Sequence, residues 1–344
     1  MGLMEMAWKV YKQQLQEKAK HFKYNRSLGK GPNLILNVTS RCNFACKHCM
    51  RDLSDLKDLP LEIAEKAILG VKKYNGKAAI ITGGEPFIYP NIKELIKLIV
   101  DNKLNFGIVT NGWLFKEHVD FLRQYKKNIL YIAFSLESAD ITFHDSIRRP
   151  GSFDRLMENF KICHQYKIPF RTITALSTKN YYQLLDLGIF LKKQKIPLII
   201  FTTMLPCPRT EENKLVLDAE KRQEAFFILK GLAETLKLPI VITADIRAES
   251  NLHLCTFMKM IDISIDTEGN ITHCCELAGY DSDNTTHAAI ITSLKDKSFE
   301  QALEILCEHI RKSTCGRIKD YKTQPDIEHI DFNSCFYCVN KFIK

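Results

Sequence analysis

Nowhere does this chain of 344 residues run to the roughly 18 uninterrupted apolar residues that a membrane-crossing helix needs. Its N-terminus lacks the charged-then-apolar order of a secretory signal, so the expected compartment is the cytoplasm. In that compartment thiols stay reduced, which argues against a disulfide framework. Like charges never form a block either. The net charge is +9, but Lys and Arg are scattered, with no basic stripe interleaved with aromatics. Nucleic-acid binding and a membrane surface are therefore not expected, and a solvated basic surface that favours anionic ligands is. Repeats of 20 to 50 residues and low-complexity tracts are missing as well.

Cysteine, by contrast, is abundant, at twelve residues. Without an export signal, clustered cysteines read as metal ligands or reactive thiols. The first cluster is SRCNFACKHCM, with Cys42, Cys46 and Cys49 on one short stretch. Thiolates suit zinc and iron–sulfur clusters. Zinc asks for four ligands, usually in paired C-x2-C groups. Three cysteines on one loop instead suit a cubane with three irons held by protein and one left open.

Around this cluster the hydrophobic pattern alternates. Short apolar runs predict buried parallel strands at Leu34–Thr39, Ala78–Thr82, Phe106–Thr110, Ile129–Ser135, Phe170–Leu176 and Leu198–Thr203. Helical spacing fills the gaps, for example Ala64, Ala67, Ile68 and Val71, then Leu95, Ile96 and Ile99. Ser152 stands where a helix N-cap belongs. The class is α/β with a parallel sheet, open or curled, and functional residues are expected at the C-terminal strand ends. The cysteine triplet directly follows the first strand. Residues 4–24 read as an amphipathic helix with Met4, Trp8, Tyr11 and Leu15 on one face. Near the other end, IDISIDTEGNITHCC reads as a β-hairpin turning at Glu268–Gly269–Asn270.

The triplet Cys42-Asn-Phe-Ala-Cys46-Lys-His48-Cys49 resembles the C-x3-C-x-Φ-C signature of the radical SAM superfamily. TGGEP (Thr82 to Pro86), VTNG (Val109 to Gly112), SLES (Ser135 to Ser138) and HDSIRRPGSFD (from His144) follow in the family's order, the first three each at a strand end. The resemblance covers about residues 34 to 205. It implies a partial (β/α)6 barrel holding a 4Fe–4S cluster on Cys42, Cys46 and Cys49. S-adenosylmethionine would chelate the open iron and be cleaved reductively to a 5′-deoxyadenosyl radical that abstracts hydrogen from substrate. It also implies that His48 faces the adenine and that Gly83, Gly84, Glu85 and Pro86 meet the methionine amino group. Asn111 joins the cofactor site, Ser135 takes the carboxylate or ribose, and Arg148 grips the carboxylate.

A second set begins at Cys255, where C-x13-G-x4-C runs to Cys274 and is followed far downstream by Cys335-Phe-Tyr-Cys338. This resembles the SPASM and twitch extensions of radical SAM enzymes. The resemblance implies one auxiliary 4Fe–4S cluster on Cys255, Cys274, Cys335 and Cys338 for electron transfer, with zinc as the alternative metal and Cys275 as the alternative to Cys274. The expected units are a helical extension at 1–33, the core at 34–245 and a small iron–sulfur unit with a β-hairpin at 246–344. Cys163 reads as core. Cys207, in MLPCPRT after the sixth strand, is expected to face the cavity mouth, where it could donate a hydrogen atom to a substrate radical. The expected substrate is a ribosomal peptide, although no leader-binding segment is read before residue 34. A small molecule such as a sugar or aminocyclitol is the alternative, and a non-catalytic metal-binding protein the remote one. The expected electron donor is of the flavodoxin or ferredoxin kind.

Overall fold

The computed structural model describes residues 31–52, 56–243, 245–246, 255–279, 289–323 and 334–342. The expected helix at 4–24 lies outside these residues. Among the described residues, ten strands form one sheet in the order β10-β9-β8-β1-β2-β3-β4-β5-β6-β7. Six of them are the expected parallel strands: β1 (Asn33–Asn37), β2 (Ala78–Thr82), β3 (Asn105–Thr110), β4 (Ile129–Ser135), β5 (Phe170–Leu176) and β6 (Ile199–Thr203). A seventh, β7 (Ile240–Ile242), extends the far edge in parallel. The sheet stays open, as a partial barrel.

Helices α1 (Leu61–Lys73), α2 (Ile92–Asp101), α3 (Phe115–Gln124), α5 (Ser152–Tyr166), α6 (Leu184–Lys193) and α8 (Ala219–Thr235) cover one face. Short α4 (Ile141–Ile147) and α7 (Pro208–Glu212) sit beyond strand ends. Alternate strand residues meet the helices in one core: Leu34, Leu36, Ile81, Phe106, Phe134 and Phe170. Their neighbours Ile35, Ile80, Tyr131, Arg171 and Ile173 are only half-buried and belong to the opposite, concave face.

Several helices stop without glycine. Asn75, Lys103, Lys167, Lys195 and Lys237 take left-handed φ values just past α1, α2, α5, α6 and α8. At four of the five, lysine sits beside the negative end of the helix dipole, which favours a cation. Ser152 is not an N-cap: Gly151 holds that position with φ 79°. The cap is Asp145 from α4, whose carboxylate accepts from Gly151 N at 2.6 Å and Phe153 N at 2.9 Å, and from Ser152 Oγ at 3.0 Å. Two carboxylate oxygens reach more orphan amides than one hydroxyl can.

The expected hairpin forms as β8 (Asp262–Ile265) and β9 (Asn270–Thr272), with Asp266 accepting from the amides of Glu268 and Asn270. It joins the main sheet, because β8 lies parallel beside β1. β10 (Ile290–Ser293) pairs antiparallel with β9. The chain ends in α9 (Phe299–Thr323) and α10 (Ser334–Phe342). Among the described residues, no helix is long and apolar enough to cross a membrane.

The C-terminal part docks on α1 through Gly70, where an added Cβ would run into the Phe299 ring. Gly70→Ala should therefore lower stability by about 1–3 kcal/mol through overpacking. Gly231→Ala in α8, with open space around it, should raise stability by up to about 1 kcal/mol. Chemical denaturation of both variants checks the pair. A Gly70→Ala chain as stable as Gly231→Ala would mean that Phe299 is not seated there.

Candidate functional site

Cys42, Cys46 and Cys49 follow β1, and a second loop clamps theirs in place. Gly84 N donates to Thr39 O at 2.6 Å, and Glu85 N donates to Arg41 O at 2.8 Å. A Cβ on Gly84 would overlap the Arg41 carbonyl oxygen, and Gly83 has φ +139° with Thr39 equally close. These glycines are thus required by the cysteine loop itself. Phe44 N donates to Cys42 Sγ at 3.4 Å, and Asn111 Nδ2 reaches both Asn43 Oδ1 at 2.8 Å and Cys42 Sγ at 3.9 Å. Trp113 packs edge-on to Phe44 with ring centres 5.7 Å apart.

Three buried carboxylates brace the strand ends around this loop. Glu85 accepts from Thr110 Oγ1 at 2.7 Å and Asn111 N at 2.8 Å, tying the end of β2 to that of β3. Its side chain also accepts from Phe87 N, capping the turn that begins at buried Pro86. Burial pushes the Glu85 carboxyl above its ordinary range, against those hydrogen bonds. Glu137 ties β4 to β5 by accepting from Ala175 N at 3.0 Å. Asp245 takes Thr202 Oγ1 at 2.5 Å and Thr203 N at 2.7 Å at the end of β6.

Glu137 also collects the basic residues. Arg148 Nη1 pairs with its Oε1 at 2.6 Å, and His48 Nε2 lies 3.6 Å from the same oxygen. Burial opposes the Glu137 charge, yet His48 when protonated, and Arg148 at every pH, hold the carboxyl below its ordinary range. Burial pushes His48 itself down to about 4. His48 is therefore neutral at pH 7, and Arg148 is the counter-charge. The expected site residues thus meet, but in a different order. Arg148 is engaged by a protein carboxylate and Glu85 by the neighbouring strand end. His48 Nδ1, His144 Nε2 and Arg148 Nε are buried without a hydrogen-bond partner. Ser135 Oγ lies 3.5 Å from Thr110 O on the half-buried face. Glu137, the third residue of SLES, was not singled out from the sequence, and its buried place at a strand end was the available signal.

The C-terminal cysteines gather as well. Cys255, Cys274 and Cys338 all act electrostatically on Cys335, and Cys274 feels both Cys255 and Cys338. Cys275 feels Glu276 ahead of Cys274, and its sulfur reaches Glu276. His273 Nε2 lies 3.4 Å from Cys338 Sγ, and its Nδ1 lies 2.9 Å from His309 Nε2. Buried Arg317 is drawn electrostatically to Cys338, Cys255 and Cys335. Burial raises the thiols of Cys46, Cys274 and Cys335, and pushes Cys42 and Cys338 up to about 12. Only bonding to a cation would deprotonate them at neutral pH.

Both sets fit thiolate-bound clusters in donor chemistry, with N–H groups beside Cys42 and Cys338 that can steady a charged sulfur. Among the described residues, no three His, Cys, Asp or Glu side chains converge as ligands of a single metal ion. A cubane does not ask for that, since each thiolate holds its own iron.

Cys207 departs from expectation. It is 2% exposed and packs with Leu205, Leu277, Phe336 and Val339, beside Cys274, Cys335 and Cys338. Its sulfur lies 3.9 Å from Cys49 O, and Thr210 Oγ1 donates to it at 3.4 Å. Thr210 also takes Cys207 N, drawing the turn inward, so the thiol does not face an open mouth. Cys163 is core, as expected.

Comparison with known proteins places this geometry. Residues 36–188 match the family described as Radical SAM superfamily. The chain is 30% identical over 155 residues to the antilisterial bacteriocin subtilosin biosynthesis protein AlbA of Bacillus subtilis, covering 44% of this chain and 34% of that protein. It is 30% identical over 156 residues to an AdoMet-dependent heme synthase of Methanosarcina barkeri, covering 43% and 44%. The matched stretch is thus less than half of either relative. The solved structure of native anSMEcpe with bound AdoMet and Cp18Cys peptide superposes with a TM-score of 0.65 at 15% identity, covering 89% of this chain and 94% of that one. At that identity the likeness concerns the fold.

The Glu137–Arg148 pair predicts a pH signature. A carboxyl held below its ordinary value contributes stability above its unfolded pKa and loses it as pH falls through the folded one. Glu137→Gln strands the Arg148 charge and should cost about 3–5 kcal/mol at pH 7. That deficit should persist down to about pH 4.3 and shrink below it. Denaturation of both chains from pH 7 to 3 checks this. A deficit that does not change with pH would remove the ion pair.

Proposed function

We propose that this chain, whose residues 36–188 match the family described as Radical SAM superfamily, is an enzyme that cleaves S-adenosylmethionine reductively and modifies a peptide. Cys42, Cys46 and Cys49 would hold a 4Fe–4S cluster, and Cys255, Cys274, Cys335 and Cys338 an auxiliary one. When bound, the first cluster and its S-adenosylmethionine supply an electron and a carbon radical able to abstract hydrogen. The observation that carries this reading is the pairing of two separate cysteine sets, one on the loop after β1 and one gathered from three distant segments.

The protein's own contribution is placement. The Phe44 amide and the Asn111 side chain hold the Cys42 sulfur. Gly83, Gly84, Glu85 and Pro86 fix the loop that would meet the methionine amino group, with Asn111, Ser135 and His48 beside it. Arg148, steadied by Glu137, keeps a buried Nε for the carboxylate. Neutral His48 can lie against an adenine without bringing a charge to it. The set of four thiolates leaves no iron open for substrate, which suits electron transfer. An acidic carrier of the flavodoxin or ferredoxin kind suits the +9 chain as donor.

Peptide as substrate is supported by the relative named for subtilosin biosynthesis and by the peptide in the anSMEcpe structure. A small-molecule substrate is the second reading, supported by the relative named as a heme synthase.

Anaerobic reconstitution followed by iron and sulfide analysis tests the core of this. About eight irons are expected in the wild type and about four when Cys42, Cys46 and Cys49 are all changed to Ala. Cys46→Ala should abolish S-adenosylmethionine cleavage. Cys335→Ala should spare some cleavage while product formation is lost. Four irons in the wild type falling to none would remove the auxiliary cluster.

A further inference from the structure

On the concave face of the sheet stands a cation, Arg171, that no carboxylate among the described residues answers. Phe134 and Phe170 stack with Phe160 of α5 on the helix side, with ring centres 5.8 and 5.5 Å from it. Tyr131, three positions before Phe134 on β4, and Arg171, one position after Phe170 on β5, therefore point the other way. The Tyr131 ring lies over Gly107 of β3, where an added Cβ would come within 2.7 Å of it. The Arg171 guanidinium stacks on that ring, its carbon 3.2 Å from the ring centre. Register places Arg171 beside Ala133, two residues before Ser135 meets Ile173. Arg171 is thus one pleat below the strand end that would carry the S-adenosylmethionine site.

Arg171 Nε is buried without a hydrogen-bond partner, and among the described residues no carboxylate pairs with this side chain. Two other buried arginines have a charged or carbonyl partner, and Arg317 has the C-terminal thiols. Arg148 has Glu137 at 2.6 Å, and Arg222 donates to Leu217 O at 2.6 Å with Asp218 and Asp245 near. Burial pushes Arg171 below its ordinary range, and only Tyr131 offsets that. A desolvated cation with no anionic partner costs stability, and an anionic ligand would recover that cost.

We propose that Arg171, propped on Tyr131, anchors a carboxylate of the substrate on the concave face. The inference rests on the reading of the chain as a radical SAM enzyme and deepens it toward substrate class. A carboxylate fits better than a phosphate. One guanidinium brings one charge in a planar fork, and with a ring covering one of its faces it meets a planar monoanion edge-on. On a peptide this group is an Asp or Glu side chain or the chain terminus. The methionine carboxylate of S-adenosylmethionine is the rival source, and affinity for that molecule separates the two.

The test compares reconstituted wild type with Arg171→Gln and Arg171→Lys. The probes are N-acetylglutamate and its neutral isostere N-acetylglutamine, titrated by ligand-observed NMR with S-adenosylmethionine present. Wild type should prefer the acid by about tenfold or more, Arg171→Lys should keep part of that preference, and Arg171→Gln none. The Tm of Arg171→Gln should equal or exceed that of wild type, because the charge is reserved for a ligand. A structural arginine would show the reverse. S-adenosylmethionine affinity, by calorimetry, should stay within about twofold in all three. The proposal is overturned by a wild type that does not discriminate, by a preference that survives Arg171→Gln, by a clear fall in Tm, or by a selective loss of S-adenosylmethionine affinity. A wild type that binds no S-adenosylmethionine at all would instead overturn the enzyme reading on which the proposal rests.

Discussion

The architecture around the cysteine loop depends on buried carboxylates that are satisfied by backbone amides and hydroxyls rather than by water. Parallel strands end without a shared turn, so nothing in the ladder itself fixes the separation of one strand end from the next. Glu85 bridges β2 to β3, Glu137 bridges β4 to β5, and Asp245 holds the end of β6. Each group would be costly to bury alone. Each is tolerable because two or more donors converge on it, and that convergence makes the rim of the sheet a defined shape. The loop holding Cys42, Cys46 and Cys49 inherits its position from that rim, through Gly84, Asn111 and the Glu137–Arg148–His48 group.

Much of this was legible in the sequence, and the limits of legibility have physical causes. The six parallel strands were readable because strands buried in an α/β layer are apolar runs, and three were placed to the residue at both ends. β7 has only three residues, Ile240–Ile242, and β10 mixes Ile with Thr and Ser, so neither carries a periodic signal. Ser152 misled because a local hydroxyl is the commonest cap, whereas Asp145 arrives from the preceding helix by tertiary folding. The motif residues were legible as a group but not in their pairings. A sequence shows that Glu85, Glu137 and Arg148 occur, yet only the fold shows that Glu137 takes Arg148 and Thr110 takes Glu85. Cys207 was misjudged for the same reason: the flanking prolines suggest an exposed loop, but Thr210 turns it inward.

The cysteine environments differ in a way that bears on their use. Cys46, Cys274, Cys335 and Cys338 are thiols that burial alone would keep protonated. Groups able to favour the charged form nonetheless stand beside them: Arg148 at Cys46, His273 at Cys338, and Arg317 at Cys255, Cys335 and Cys338. A surround that disfavours free thiolates yet aims donors at sulfur is suited to ligands charged only when metal is present. It also disfavours oxidation of the empty sites, because the thiolate is the reactive species.

The two cysteine sets belong to different ends of the chain, yet one small apolar cluster touches both. Met50, next to Cys49, packs with Leu205, Leu277, Phe336 and Val339, and so do Cys274, Cys335 and Cys338. Buried Cys207 sits within the same cluster and reaches the Cys49 carbonyl. The C-terminal segment is therefore seated against the first loop by hydrophobic burial together with charged contacts, Arg51 donating to Cys275 O at 2.6 Å and Lys57 pairing with Glu268 at 2.6 Å. β8 beside β1 and Phe299 in the hollow at Gly70 fix the same segment from the other side. Three of its four proposed ligands, Cys274, Cys335 and Cys338, pack on the cluster that also takes Met50 of the first loop. The packing argues that nearness of the two sets is what this arrangement maintains.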